Sequence, residues 1–412
     1  MTPPPLALYV HFPWCVRKCP YCDFNSHTLR GRLPEERYVE ALIRDLQLQA
    51  QALAGRRLIS VFLGGGTPSL FSASAIERVL LAAREAFGFD DDIEITLEAN
   101  PGTIERGRFA EYRAAGINRV SLGAQSFDAS QLERLGRIHS PAETCRAAEE
   151  LHAVGLENFN LDLMYALPGQ DVRGALCDLE RALELEPTHI SHYQLTIEAG
   201  TVFAGSPPRL PGDEIAADML AACAERLKEQ GFGQYEISAY ARTGREARHN
   251  LNYWTFGDYV GIGAGAHGKW TFAEQTRIDR TTRPREPRRY VVSAGSAPDR
   301  SSVSAADLPF EFMLNALRLA SGFEVELFEA RTGLSWQTVA PTMEVLRTQS
   351  LVECAGAHWS ATAHGARFLN DILLRFLPPG PVAGSATSDR TAPLYTAESR
   401  SSVNERITSE IT

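Results

Sequence analysis

The chain predicts an α/β fold: a parallel, barrel-like sheet of six βα units, followed by a smaller α+β domain of winged-helix type. Three observations carry that prediction. Six short β-branched or apolar runs alternate with longer helical patterns through the first half, which is the signature of repeated βαβ units. Four of those runs end in glycine- and polar-rich turns, "GGGTP", "EANPG", "GAQSF" and "DLMYALPGQ", so chemistry gathers at the C-terminal edge of the sheet. From about residue 305 the alternation stops and gives way to three helical stretches and a hairpin.

Taken in order, the strands are expected at 6–12 ("LALYVHF"), 58–64 ("LISVFLG"), 93–99 ("IEITLEA"), 118–124 ("NRVSLGA"), 157–164 ("ENFNLDLM") and 189–195 ("HISHYQL"). Between the first two, Val39, Leu42, Ile43 and Leu46 recur at the spacing of one helix face. Leu80, Leu81 and Ala83 to Phe87 mark a second helix, and 142–155 a third, which Gly155 ends at a C′ position. Periodicity alone does not separate a partial barrel from an open doubly wound sheet. Helices at 307–319, 325–332 and 335–349 precede a hairpin at 351–362 and a last helix. The helix that would read DNA, "SWQTVAPTMEVLRTQ", has Arg347 as its single cation, beside Glu344, so a packing or lid role fits it better. The division expected is 1–200 for the barrel, 201–304 for an extension of it, 305–377 for the winged-helix-like domain and 378–412 for a tail. That tail is rich in Pro, Gly, Ser and Thr and too poor in apolar residues to order itself.

Composition narrows the partners. A formal charge of -10 over 412 residues disfavours nucleic acid, whose phosphates need clustered Lys and Arg. No apolar run approaches the roughly 20 residues that span a bilayer, and the start "MTPPPLALYV" lacks the basic and apolar regions of a secretory signal. The expected compartment is the cytoplasm.

Seven cysteines do not make a disulfide framework, and three are bunched. Cys15, Cys19 and Cys22 form a C-x3-C-x2-C loop directly after the first strand. Cys145, Cys177, Cys223 and Cys354 are scattered and are expected to be small buried hydrophobes. Three thiols on one loop allow two chemistries. Zinc would need a fourth ligand such as His11 or His27, although structural zinc sites favour two separated ligand pairs. A [4Fe–4S] cluster held by three thiolates instead leaves one iron open to an outside ligand.

The C-x3-C-x2-C spacing resembles the signature of the radical SAM superfamily, where the amino and carboxylate groups of S-adenosylmethionine (SAM) chelate the open iron. The resemblance implies a partial (β/α)6 TIM-like barrel and homolytic cleavage of SAM to a 5′-deoxyadenosyl radical. It further implies that "GGGTP", with Gly65, Gly66 and Thr67, binds the methionine amino group. The same segment lacks the Lys-Ser/Thr of a P-loop. Glu98, Gln125, Arg137 and Asp162 match other SAM-contacting positions, as do Tyr9 and Tyr21, with Tyr21 placed to pack on the adenine.

From about Tyr9 to Leu377 the chain is similar to the coproporphyrinogen III oxidase-like group, and most to its heme chaperones, through "PWCVRKCPYCDFNSH", "NLDLMYALPGQ" and "HNLNYWTFGDYVGIGAGAHG". Two features depart from the oxidases. Phe24 stands where they carry an extra Cys, and the stretch before the first strand is short. The resemblance therefore implies a protein that binds heme and passes it to acceptor proteins, with peripheral contact where those acceptors are membrane proteins, rather than a decarboxylase. His249, Tyr253 and Trp254 match the heme-associated H-N-x-x-Y-W motif, in which an imidazole can ligate iron and flat rings can face a macrocycle. His267 matches a position near bound cofactor.

Overall fold

The computed structural model describes residues 1–103 and 108–378. Its strands are β1 Leu6–Phe12, β2 Trp14–Cys15, β3 His27–Thr28, β4 Leu58–Gly65, β5 Phe89–Ala99, β6 Arg119–Gln125, β7 Phe159–Tyr165 and β8 His189–Gln194. Then come β9 Gly233–Glu236, β10 Ala239–Ala241, β11 Asp258–Ile262, β12 His267–Phe272, β13 Arg277–Thr282 and β14 Asp299–Ser302. The six expected strands are β1 and β4 to β8. The helices of this part are α1 Glu35–Ala52, α2 Ala73–Phe87, α3 Arg108–Ala114, α4 Ala129–Arg134, α5 Pro141–Ala153, α6 Val172–Leu183, α7 Val202–Gly205, α8 Asp213–Glu229, α9 Arg248–Trp254 and α10 Pro287–Ser293.

One 12-stranded sheet runs in the order β14-β13-β12-β11-β1-β4-β5-β6-β7-β8-β10-β9. Strands β1 and β4 to β8 are parallel neighbours in chain order. A doubly wound sheet would reverse its order at a switch point. The steady progression here is that of a curved, singly wound, barrel-like sheet. It does not close on itself: β11 pairs in parallel with the free side of β1, and antiparallel β10 follows β8.

Local chemistry explains the boundaries. Strand β1 is buried along its length except for half-buried Tyr9, as a strand covered on both faces must be. Helix α1 turns Tyr38, Val39, Leu42 and Leu46 inward. Ser72 caps α2 through the Ala75 amide, and Ser140 with Glu143 forms the capping box of α5. Gly155, at φ 70°, lets Leu156 return a hydrogen bond to Leu151 and so ends α5.

The C-terminal part holds α11 Leu308–Ala316, α12 Val325–Thr332 and α13 Ala340–Thr348, with a small sheet in the order β15 (Phe323–Glu324), β17 (His358–Ala361), β16 (Val352–Ala355). Pro341 sits in the first turn of α13, so the helix expected from 335 begins instead as a separate 3-10 turn at Trp336–Thr338. A second apolar core of Phe310, Phe312, Phe328, Met343 and Trp359 lies under these helices. It takes in Phe256 and Ile278 from the preceding segment, so the two parts share packing. The expected tail lies outside the described residues apart from Pro378.

Of the four scattered cysteines only Cys223 is buried; Cys145 is half-buried, and Cys177 and Cys354 are exposed. Cys177 is on the outward side of α6 and Cys354 on an open stretch of β16, so neither behaves as the core hydrophobe its context predicted. No helix among the described residues is long and apolar enough to cross a membrane.

Candidate functional site

The C-terminal ends of the parallel strands form a mouth, and the cysteine loop lies across it. The loop is closed by its own backbone: Cys22 N–H donates to Cys19 C=O at 3.2 Å, and Leu29 N–H to Cys15 C=O at 2.8 Å. It is then anchored from outside. The Asn25 amide donates to the carbonyls of Ala264 at 2.8 Å and Arg285 at 2.9 Å. His11 Nε2 donates to Asn25 C=O at 2.9 Å, which leaves Nδ1 to accept from the Tyr9 hydroxyl at 2.9 Å. On the far side Phe203 N–H donates to Pro20 C=O. Gly136 lies so close beneath Pro20 that a Cβ would stand 2.7 Å from its ring. Asn25 was quoted in the motif but not singled out, since its partners are more than 200 residues away.

All three thiols are half-buried and unpaired. Cys22 Sγ is 3.7 Å from Ser26 Oγ, Arg137 Nη1 is 3.7 Å from Cys19 Sγ, and the Thr67 hydroxyl bonds Cys15. Burial pushes the Cys15 and Cys22 thiols up. Among the described residues no three His, Cys, Asp or Glu side chains, the three thiols included, stand close enough together to hold a single metal ion.

Beneath the loop the glycine run explains itself. Gly66 N–H donates to Phe12 C=O at 2.7 Å, and a Cβ on Gly66 would meet the Trp14 carbonyl oxygen at 2.7 Å. Gly65, at φ 109°, would meet the His11 ring at 2.4 Å. Its amide donates to Glu98 Oε2 at 3.0 Å. Burial, and then nearby Asp162, pushes the Glu98 carboxyl up to about 8. Asp162 accepts from Ser121 Oγ at 3.2 Å and Asn160 Nδ2 at 2.8 Å. Gln125 ends β6 in the left-handed region, at φ 66°, an uncommon setting for a residue with a side chain.

The structure thus brings Cys15, Cys19, Cys22, Tyr21, Gly65, Gly66, Thr67 and Arg137 together at the mouth, with Glu98 and Asp162 under them. Tyr9 points into the interior, with its ring 6.3 Å from that of Phe62. His267 opens β12, half-buried, and the nearby Arg280 and Arg285 join burial in lowering its pKa. Three thiols on one anchored loop fit a cluster held by three cysteines, while the glycines beside them let His11, Phe12 and Trp14 pack against the main chain of the turn.

His249, Tyr253 and Trp254 are elsewhere. Helix α9 plugs the opposite end of the barrel, the floor made by the strand starts. Glu94 of β5 accepts from the Arg248 and His249 amides at 3.0 and 3.1 Å. His249 is 2% exposed, and both ring nitrogens are engaged, Nδ1 with Ser60 Oγ at 3.0 Å and Nε2 with the Tyr253 hydroxyl at 3.1 Å. Its ring stacks on Phe62 at 5.0 Å, and burial pushes its pKa down to about 3. From Ser60 to Gly65 the strand rises about 17 Å, and across that depth Tyr9 links the two ends, its ring 6.4 Å from that of His249 and its hydroxyl on His11 below the loop. Trp254 packs under the Arg318 guanidinium at 4.4 Å.

Comparison with known proteins places the chain by family and fold. The radical SAM superfamily model matches residues 9–201, and the HemN C-terminal domain model matches 303–368. A protein of Escherichia coli (strain K12) named heme chaperone HemW is 48% identical over 375 residues, 91% of this chain and 98% of that one. Its namesake in Haemophilus influenzae is 47% identical over 382 residues, again 91% and 98%. Among solved structures, coproporphyrinogen III oxidase (HemN) from Escherichia coli, described as a radical SAM enzyme, superposes with a TM-score of 0.76 at 23% identity. That match covers 91% of this chain and 90% of the oxidase, a likeness of fold.

Proposed function

Because the chain belongs to the HemW family within the radical SAM superfamily, we propose that it binds heme and hands it to acceptor proteins, with a [4Fe–4S] cluster and SAM at the barrel mouth. The observation that carries this reading is the 48% identity extending over 98% of a protein named heme chaperone. Cys15, Cys19 and Cys22 would ligate three irons of the cluster. Bound cluster and SAM supply one-electron chemistry at a sulfonium. The chain's own residues do the positioning: Gly65 and Gly66 let the turn pack against His11 and Trp14 under the cysteine loop, and Thr67 steadies Cys15. Glu98 and Asp162 offer carboxylates to a cationic group, and Gln125, Tyr9 and Tyr21 complete the walls.

Heme contact is assigned to the 249–254 segment, with His267 the alternative imidazole nearer the mouth. Axial ligation by His249 requires Nε2 to exchange its Tyr253 bond for iron, whereas His267 is half-exposed as it stands. The same reading places the protein in the cytoplasm, where acceptors, membrane-bound ones included, are met from outside the bilayer.

Anaerobically reconstituted protein titrated with heme should give a saturable complex with a distinct Soret band and should leave coproporphyrinogen III unconverted. Conversion of coproporphyrinogen III with no heme affinity would replace this reading by the oxidase.

A further inference from the structure

We propose that Arg137 tunes the cluster by donating a charge-assisted hydrogen bond to the Cys19 thiolate, apart from any contact it makes with SAM. The proposal rests on the cluster reading above. Its basis is an asymmetry among the three thiols. Cys22 faces the Ser26 hydroxyl at 3.7 Å and Cys15 the Thr67 hydroxyl, both neutral donors. Cys19 alone of the three is hydrogen-bonded by a cation, Arg137 Nη1, at 3.7 Å, whereas Lys18 acts on Cys22 through its charge only.

The guanidinium is held for this purpose from several sides. Nη2 donates to the Gly123 carbonyl at 2.7 Å. Gly123 has no side chain, and a Cβ there would stand 3.0 Å from Nη2, tight enough to push the fork away. The Tyr21 hydroxyl, two residues beyond Cys19, bonds the same group. The backbone delivers Arg137 to this spot: Gly136, at φ 69°, closes α4, and Arg137 N–H returns to Leu132 C=O at 2.9 Å. Gly136 also packs under Pro20, beside Cys19, so one turn fixes both the arginine and the loop it addresses. Nε is buried and has no partner, so the fork's hydrogen bonding runs through its two terminal nitrogens.

Hydrogen bonds to cluster sulfurs and positive charge nearby favour the reduced, more negative state and raise the reduction potential. A charge-assisted bond made more strongly in the reduced state changes the reduction equilibrium about tenfold, equivalent to about 59 mV for one electron.

The test uses the full chain, reconstituted without SAM, with iron and sulfide assayed and the midpoint potential read by spin-resonance-monitored redox titration. Arg137→Gln should keep its cluster and shift the potential negative by about that amount, and Arg137→Lys should recover part of the shift because the charge returns without the fork. An unchanged potential in a fully loaded Arg137→Gln would overturn the proposal. So would loss of the cluster from both variants, which would make Arg137 an assembly residue. A native protein that takes up no cluster would refute the underlying reading instead, and the two failures are told apart by the iron assay.

Discussion

The two ends of the barrel are made from the same strands and finished in opposite ways. At the floor the imidazole of the motif is satisfied within the protein: His249 has two partners, its amide a third, and Tyr235 bridges His189 and Asn250, while Asn252 Oδ1 and Trp254 Nε1 stay buried without a partner. At the mouth the fold invests in placement instead. Asn25, Gly66 and Gly136 hold the cysteine loop still, while the thiols it carries make long contacts to Ser26 and Arg137 and meet the hydroxyls of Thr67 and Tyr21. A satisfied floor stabilises, and a placed but under-satisfied mouth is ready to bind. Motif residues with sealed partners and motif residues with open valence are therefore different kinds of evidence, even when both match one family.

The comparison breaks first at the cysteines. Native protein should carry about four iron and four sulfide per chain, and Cys15→Ala, Cys19→Ala or Cys22→Ala should lose the chromophore entirely. Cys145→Ala should keep it; equal loss there would mean the ligand set is wrong. Next in size is Gly66→Ala, whose methyl would collide with the Trp14 carbonyl at 2.7 Å. We expect it to destabilise the chain by about 1–3 kcal/mol and to lower cluster occupancy with it. Gly205→Ala, with open space around it, is the control that should change neither.

At the floor the expected losses are of stability, not of cluster. His249→Ala removes a ring packed on Phe62 and strands Ser60 and Tyr253, at a cost of about 2–4 kcal/mol by denaturant titration, with iron content unchanged. The Soret band of the heme complex then shows whether His249 is also the ligand: a shift assigns it, and an unaltered band passes the role to His267.

The smallest effect is on pH dependence. His249 titrates near 3 in the fold and at its ordinary value of 6.5 when unfolded. Its stabilisation is therefore complete above 6.5 and is lost as pH falls, because the unfolded chain takes the proton first. The loss is about 1.4 kcal/mol per pH unit from that residue. The difference in stability between native protein and His249→Gln should shrink by that slope on acidification from pH 6 to pH 4. A constant difference would mean that His249 is already charged in the fold.

Much of this was legible in the primary structure. Runs such as "LALYVHF" are buried on both faces and announce strands by composition, and a C-x3-C-x2-C loop after a strand end can be located by counting. The antiparallel additions were not legible, because β13 "RIDRTT" and the edge strand β14 "DRSS" are polar strands whose pairing depends on neighbours rather than on apolar content. Nor was the place of "HNLNYW". Helical spacing puts His249 and Tyr253 on one side of α9, but only the Glu94 and Ser60 contacts place that side at the floor. Asn25 was hidden for the same reason, since a clamp is visible only with both jaws.

That clamp has a consequence for the order of events during synthesis. The cysteine loop leaves the ribosome early, yet the carbonyls that fasten Asn25 lie 239 and 260 residues later in the chain. At 5–20 residues per second, the thiols emerge roughly 13–52 s before the last of their anchors exists. For most of that interval β1 also lacks β11, its partner on one side. On the cluster reading, insertion is expected to be a late step, open once the chain through Arg285 has been made, and until then the nascent protein carries three thiols without the Asn25 clamp.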